Sequence, residues 1–298
     1  MAATWEALRP RQWTKNLIVF AGLLFAQQAG NVEAVAIAVL AFLIFCALSS
    51  AGYLFNDILD APADRTHPVK QRRPIASGRL AAGNAAAVAL VFASVGMALS
   101  LWINLRFGLI ACSYVVLAAL YSLGLKRIVI LDVIILAVGF VLRAAGGAAA
   151  IDVPMSPWLL ICTLMLALFL GLSKRRHELV LLEEGAAAHR ASLSEYSPYL
   201  LDQMINVVTA STVIAYALYT LSTETGGSAN SHLLVYTVPA VLFGVFRYLY
   251  LVHQRGEGSD PDRILVRDIP LIIDILVWLA IVVVVVYVLP VRGLSLPY

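Results

Sequence analysis

A chain of 298 residues that is 61% hydrophobic, only 13% charged and has a mean hydropathy of +0.87 is not an ordinary water-soluble domain. Its formal net charge of +3 is spread over short basic segments separated by apolar runs, which excludes a nucleic-acid-binding surface. Cys46, Cys112 and Cys162 all lie in apolar stretches without metal-ligand spacing, so neither a disulfide framework nor a cysteine metal site is implied.

Apolar runs of about 20 residues are what a ~30 Å hydrocarbon layer requires. Nine such spans are predicted, at 14–29, 33–55, 82–104, 107–125, 129–150, 155–173, 205–223, 232–252 and 270–290, giving an all-α polytopic membrane protein. The first is the shortest, with a basic start and small residues near Ala26–Gly30, as a cleaved signal has; eight spans follow it, so it is read as a retained first helix. Every Lys and Arg except Arg106, Arg292 and the intraspan Arg143 falls on one side of these spans. That asymmetry predicts an N-terminus inside and a C-terminus outside; the expected location is the plasma (inner) membrane.

In chain order, the leading segment Ala7–Asn16 places Trp5 and Trp13 as interface residues, with Arg9, Arg11 and Lys15 as positive-inside anchors. Lys15 and Asn16, one turn into the membrane, are also candidates for facing a substrate pocket. After the second span, residues 53–79 hold Asn56, Asp57, Asp60 and Asp64, followed by Arg65, Lys70, Arg72, Arg73 and Arg79. On a helix Asp57 and Asp60 share a face, and Asp64 lies four residues further along it. Three carboxylates converging at a helix end need a cation. Mg²⁺ suits them, because it takes hard oxygen ligands and keeps substrate phosphates in its shell. Lys70, Arg72 and Arg73, in a loop bounded by prolines, suit phosphate oxygens. The expectation is a Mg²⁺-diphosphate site, with Asp57, Asp60 and Asp64 as metal ligands and Asn56 orienting the substrate. The alternative is a capped helix end with ordinary basic anchors.

Further along, Tyr121 and Lys126 are weaker candidates for a phosphate, and Tyr121 reads equally as an interface aromatic. Asp132 and Arg143 are taken as the ionisable groups well inside spans; ~16 Å of helix rise keeps them from pairing, so Arg143 needs another partner. The second polar concentration, Lys174 to Glu178, runs on towards Glu183, Glu184 and His189, and Tyr196, Tyr199 and Asp202 close its loop. It is read either as a solvated charge cluster or as a further anion-binding set formed by Lys174, Arg175, His177 and Glu178. A last polar loop, His253 to Asp268, reads as a flexible cover. The polar loops at about 56–81, 174–204 and 253–269 then belong to a single catalytic domain spanning 1–298. Spans eight and nine serve either a groove or a homo-oligomer interface, and the residues do not separate the two.

The whole pattern resembles the UbiA-type intramembrane prenyltransferase superfamily: nine spans, Asn56-Asp57-x-x-Asp60-x-x-x-Asp64 after the second, and a second polar motif after the sixth. The resemblance implies a helical bundle whose cytoplasmic polar loops cap a central cavity, bind Mg²⁺ and a diphosphate, and open to lipid. Ordinary members carry a second aspartate-rich motif after span six, whereas this chain carries Lys174-Arg175-Arg176-His177-Glu178. Cations in place of carboxylates imply a substrate phosphate that is not metal-bound. The start Arg9-Pro-Arg-Gln-Trp-Thr-Lys-Asn16 is similar to a branch that uses 5-phosphoribosyl-1-diphosphate and a polyprenyl (decaprenyl) phosphate. That likeness implies a membrane phosphoribosyltransferase releasing diphosphate and supplying a precursor of cell-wall arabinan. The other readings are a conventional prenyltransferase acting on an aromatic acceptor, and a lipid-phosphate transporter, which would need polar groups spread through the membrane.

Overall fold

In a lipid layer every backbone polar group has to be satisfied within the chain, and a helix does this one segment at a time. The computed structural model describes residues 2–183, 195–222, 231–255, 264 and 267–289. All regular structure among them is helical. The helices are α1 (Ala2–Leu8), α2 (Ala21–Phe25), α3 (Val32–Asp64), α4 (Ala82–Ile103), α5 (Leu105–Leu123), α6 (Leu131–Ala150), α7 (Pro157–Glu183), α8 (Pro198–Leu221), α9 (Val238–Gln254) and α10 (Ile269–Val283). Eight of the described helical stretches are long and apolar enough to cross a membrane. Glu184, His189, Gly256, Gly258, Asp260 and Asp262 from the predicted polar loops lie outside the described residues, as does the side chain of Glu183.

The first predicted span departs from an α-helix. Pro10–Phe20 forms a 3₁₀ helix that leads into the short α2. A Cβ on Gly147 of α6 would lie 2.0 Å from the Val19 carbonyl oxygen, so the two backbones are in direct contact. Gly22 approaches Ala148 in the same way, at 2.9 Å from a would-be Cβ. Packing on α6 therefore sets the path of this segment. In 3₁₀ form its eleven residues extend over ~22 Å where an α-helix would give ~16 Å, so a short stretch reaches further through the apolar layer.

Two compact units divide the chain. The first comprises the described residues of Met1–Leu23, Asn31–Pro154 and Ala187–Glu195. Its core gathers Val19, Ile44, Phe45, Leu48, Phe107, Ala111 and Tyr114 from the 3₁₀ segment, α3 and α5. Phe45 meets Phe107 and Tyr114 edge-on, with ring centres 5.8 and 5.5 Å away. Gly146 of α6 admits the Phe45 ring, which a Cβ there would meet at 2.6 Å. At 33 residues α3 is ~50 Å long, well beyond a ~30 Å apolar layer, so its polar end can stand at the interface. Asn31 caps its start, accepting from the Glu33 and Ala34 amides at 3.1 and 3.3 Å. Asn104 caps α5 and donates to the last carbonyls of α6, Ala149 and Ala150, at 2.8 and 3.3 Å.

The second unit comprises the described residues of Leu24–Gly30, Met155–Ala186 and Tyr196–Tyr298. Here α7 packs along α8, and α9 along α10. A buried polar bridge joins three of its elements: Trp278 Nε1 donates to the Tyr216 hydroxyl at 2.8 Å, which lies 2.6 Å from the Thr237 hydroxyl. Tyr287 donates to the Leu24 carbonyl at 2.7 Å, fixing the end of α2.

Candidate active site

At about 100° per residue, Asp57 and Asp64 are two turns apart and point almost the same way, while Asn56 and Asp60 stack one turn apart on a neighbouring stripe. The structure follows that division. Asp57, 3% exposed, and Asp64, 4% exposed, share one cation: Arg73 Nη1 lies 3.1 Å from Asp57 Oδ1 and 2.7 Å from Asp64 Oδ2. Arg9 Nη2 also donates to both carboxylate oxygens of Asp57, at 2.6 and 2.9 Å. Asp60 belongs to a separate set, in which Lys126 Nζ donates to Asp60 Oδ1 at 2.5 Å and Asn56 Oδ1 at 3.0 Å. The Asn56 amide closes this triangle on Asp60 Oδ2 at 2.9 Å.

Three cations, delivered by three different loops, thus meet three carboxylates on one helix. Arg9 follows α1, Arg73 follows the 3₁₀ turn Lys70–Arg72, and Lys126 lies in the 3₁₀ turn Leu125–Arg127. Among the described residues, no three His, Cys, Asp or Glu side chains group closely enough to hold a metal ion. Asp57 and Asp64 nonetheless fit Mg²⁺, because they already point oxygens at one shared cation, and two carboxylates completed by phosphate and water are its usual shell.

Two local devices set these loops. Arg9 sits in the left-handed region (φ 54°, ψ 57°), a conformation costing an L residue roughly 1–2 kcal/mol, and its guanidinium lies 5.1 Å from the Tyr53 ring centre. Ile130 has φ 68° and ψ −47° in a tight turn closed by Leu131 N donating to Val129 O at 2.7 Å. It turns the chain between Lys126 and α6, whose first turn carries the fully buried Asp132.

The remaining predicted residues separate. Lys70 is half-buried, and its backbone amide, with that of Val69, donates to the buried His67 Nδ1 at 3.2 and 3.1 Å. Arg72 is exposed, and its carbonyl accepts from Arg79 Nη2 at 2.6 Å. Arg79 in turn pairs with Glu6 at 2.7 and 3.0 Å, tying the loop to α1 and holding the Glu6 carboxyl below its ordinary range. Lys15 is half-buried in the 3₁₀ segment. Asn16 is fully buried and donates to Cys46 Sγ and Ser49 Oγ, each at 3.3 Å, two to three turns before the aspartates on α3. Its Oδ1 has no hydrogen-bond donor among the described residues. The Tyr121 hydroxyl is likewise buried without a hydrogen-bond partner among the described residues. Arg143 is held by aromatic rings: Nη2 donates to the Tyr114 hydroxyl at 2.8 Å, and the guanidinium stacks 4.8 and 5.0 Å from the Tyr114 and Phe140 ring centres.

In the second unit, the nearly buried Arg175 pairs with Glu178 at 2.6 Å. Arg176 pairs with Asp202, to which His253 Nε2 also turns at 3.3 Å, so α7, α8 and α9 are joined at one carboxylate. His177 is buried, and Lys174 is half-buried beside it on α7. Arg247 grips Asp268 at 3.0 and 2.7 Å while Asp268 caps α10 through the Leu271 amide at 3.0 Å.

Sequence reasoning missed four of these groups. Arg9 looked like an anchor, Asp202 looked like loop polarity, and His67 and Asp274 were passed over. Asp274 lies inside α10, with Oδ2 2.9 Å from where a Cβ on Gly244 would be, so Asp132 and Arg143 are not the only ionisable groups inside spans. Its presence in so apolar a run was the available signal.

The profile of the UbiA prenyltransferase family matches residues 16–267. A decaprenyl-phosphate phosphoribosyltransferase from Mycolicibacterium smegmatis is 32% identical over 286 residues, covering 92% of this chain and 89% of that protein. One of the same name from Corynebacterium glutamicum is 33% identical over 294 residues, covering 96% and 87%. Among solved structures, a UbiA homolog from Archaeoglobus fulgidus bound to GPP and Mg²⁺ superimposes with a TM-score of 0.73 at 19% identity, covering 95% of this chain and 99% of that one.

Proposed function

The chain belongs to the UbiA prenyltransferase family, and from that premise we propose that it transfers 5-phosphoribose from 5-phosphoribosyl-1-diphosphate to a polyprenyl phosphate. Near-full-length likeness to relatives named decaprenyl-phosphate phosphoribosyltransferase carries this reading. The single catalytic domain is an integral protein of the plasma membrane, with the N-terminus and the site facing the cytoplasm.

In this reading Asp57, Asp60 and Asp64 would hold Mg²⁺ directly or through water, and Asn56 would orient the donor. Bound there, the ion would supply positive charge to offset that developing on the departing diphosphate. Lys70, Arg72 and Arg73 grip donor phosphate oxygens. Lys126 holds the acceptor phosphate, helped by Lys15 and by the Tyr121 hydroxyl, which has no hydrogen-bond partner among the described residues. Lys174, Arg175 and His177 take the 5-phosphate or the acceptor phosphate, and Glu178 accepts a ribose hydroxyl or fixes Arg175. As the bond from C1 to the diphosphate oxygen breaks, an oxygen of the acceptor phosphate bonds to C1. That nucleophile is already an anion, so the site needs no strong base; it must position two anions and stabilise the cationic sugar between them.

Incubating purified protein with Mg²⁺, 5-phosphoribosyl-1-diphosphate and a polyprenyl phosphate, followed by mass spectrometry of the lipid, tests this. A phosphoribosylated lipid lost on adding EDTA is the expected result. No such lipid, together with turnover of a prenyl diphosphate on an aromatic acceptor, overturns the donor assignment.

A further inference from the structure

Asp57 is nearly buried, yet it is contacted by two guanidiniums, Arg9 at 2.6 and 2.9 Å and Arg73 at 3.1 Å. Arg73 completes the set on Asp64 at 2.7 Å. A membrane anchor needs none of this. Arg9 reaches Asp57 from a left-handed backbone and lies against the Tyr53 ring, so its position is specified from both ends of the side chain.

Two carboxylates and two guanidiniums leave this cluster neutral. A divalent cation entering alone would have to displace both arginines from Asp57 and Asp64 and leave their charges uncompensated. A diphosphate entering alone would meet two carboxylates already facing its oxygens. Entering together, the cation takes the carboxylate oxygens and the diphosphate receives the released guanidiniums. The arginine fork matches carboxylate and phosphate equally well, so each charge-assisted hydrogen bond is exchanged for one of the same kind.

Resting on the reading of this site given above, we infer that Arg9 is a ligand of the donor diphosphate held in reserve on Asp57. With Arg73 it makes divalent-metal binding conditional on diphosphate. The exchange requires Arg9 to move by roughly the width of a carboxylate, and its place on a loop rather than inside a helix allows that.

Equilibrium dialysis of the purified full chain in detergent against radioactive Mn²⁺, with and without inorganic diphosphate, reads protein-bound metal directly and without turnover. Wild-type protein should retain metal at least ~10-fold more tightly when diphosphate is present, within the usual range of coupling between sites. Arg9→Gln should raise metal retention without diphosphate by a similar ~10-fold and flatten the dependence, since the competing cation has gone. Arg73→Gln should act in the same direction. Equal retention by the wild type with and without diphosphate overturns the inference and leaves a metal site at the aspartates standing; that measurement needs no variant to fold. Absence of bound metal under either condition overturns the metal-diphosphate reading, and the inference with it.

Discussion

The polar ends of the two units use the same ingredients in opposite ways. In the first, Asp57, Asp60 and Asp64 stand on one helix, and the cations Arg9, Arg73 and Lys126 come to them from three loops. In the second, the charges themselves stand on helices: Arg176 on α7, Asp202 on α8 and His253 on α9. A cation on a loop can leave its carboxylate at the expense of a few loop torsions. A cation on a packed helix cannot move without the helix. The first arrangement suits groups that change partners in a reaction cycle, and the second suits groups that hold helices together.

Substitutions can break that contrast. The largest effect is expected at Asp57, where Asp57→Ala removes the carboxylate shared by Arg9 and Arg73 and should lower turnover by ~10³-fold or more, measured as phosphoribosylated lipid. A folded Asp57→Ala protein with normal turnover would end the assignment. Lys126→Met comes next, with an expected ~10²-fold loss in kcat/KM at nearly unchanged thermal stability, because the pair with Asp60 lies at a loop. Asp202→Asn should show the reverse: a loss of about 1–2 kcal/mol in detergent unfolding with turnover changed only a few-fold, since Arg176 and His253 are partly solvated. If Asp202→Asn instead removes turnover while the melting curve stays put, the second cluster is chemical and the contrast fails.

The smallest expected effect is one of pH. The Arg247 guanidinium, with help from the Leu271 amide, holds the Asp268 carboxyl below its ordinary value of 3.8. A depressed folded-state pKa means that this contribution is complete above about 3.8 and is lost as pH falls further. Wild type should therefore lose up to about 1 kcal/mol of stability between pH 4 and more acidic values that Asp268→Asn does not lose. Acid-unfolding curves of the two proteins check it.

Much of the architecture was legible because lipid leaves few options: long apolar runs become helices. The aspartate motif was legible for a related reason, since carboxylates at a membrane helix end need cations. What the sequence could not supply was which cation meets which carboxylate. Asn16 looks one turn from the polar end but turns its amide to Cys46 and Ser49, because the 3₁₀ segment is seated on α6 by backbone contact. Arg9 reads as an anchor until α1 and the left-handed turn bring it onto Asp57. The split between Asp57 with Asp64 and Asp60 with Asn56 follows from helix phase, but only the landing points of the loops turn it into two separate ion clusters.

The seat of Val19 and Gly22 on Gly147 and Ala148 has a consequence for biosynthesis. Val19 and Gly22 leave the ribosome well over a hundred residues before the surface they rest on is translated. Until α6 is in the membrane, this segment has its contacts to α3, through Trp13 with Ser50 and Asn16 with Cys46 and Ser49, but not its backbone seat. The seat of this segment is therefore completed late, when it is locked against α6, the fourth long helix.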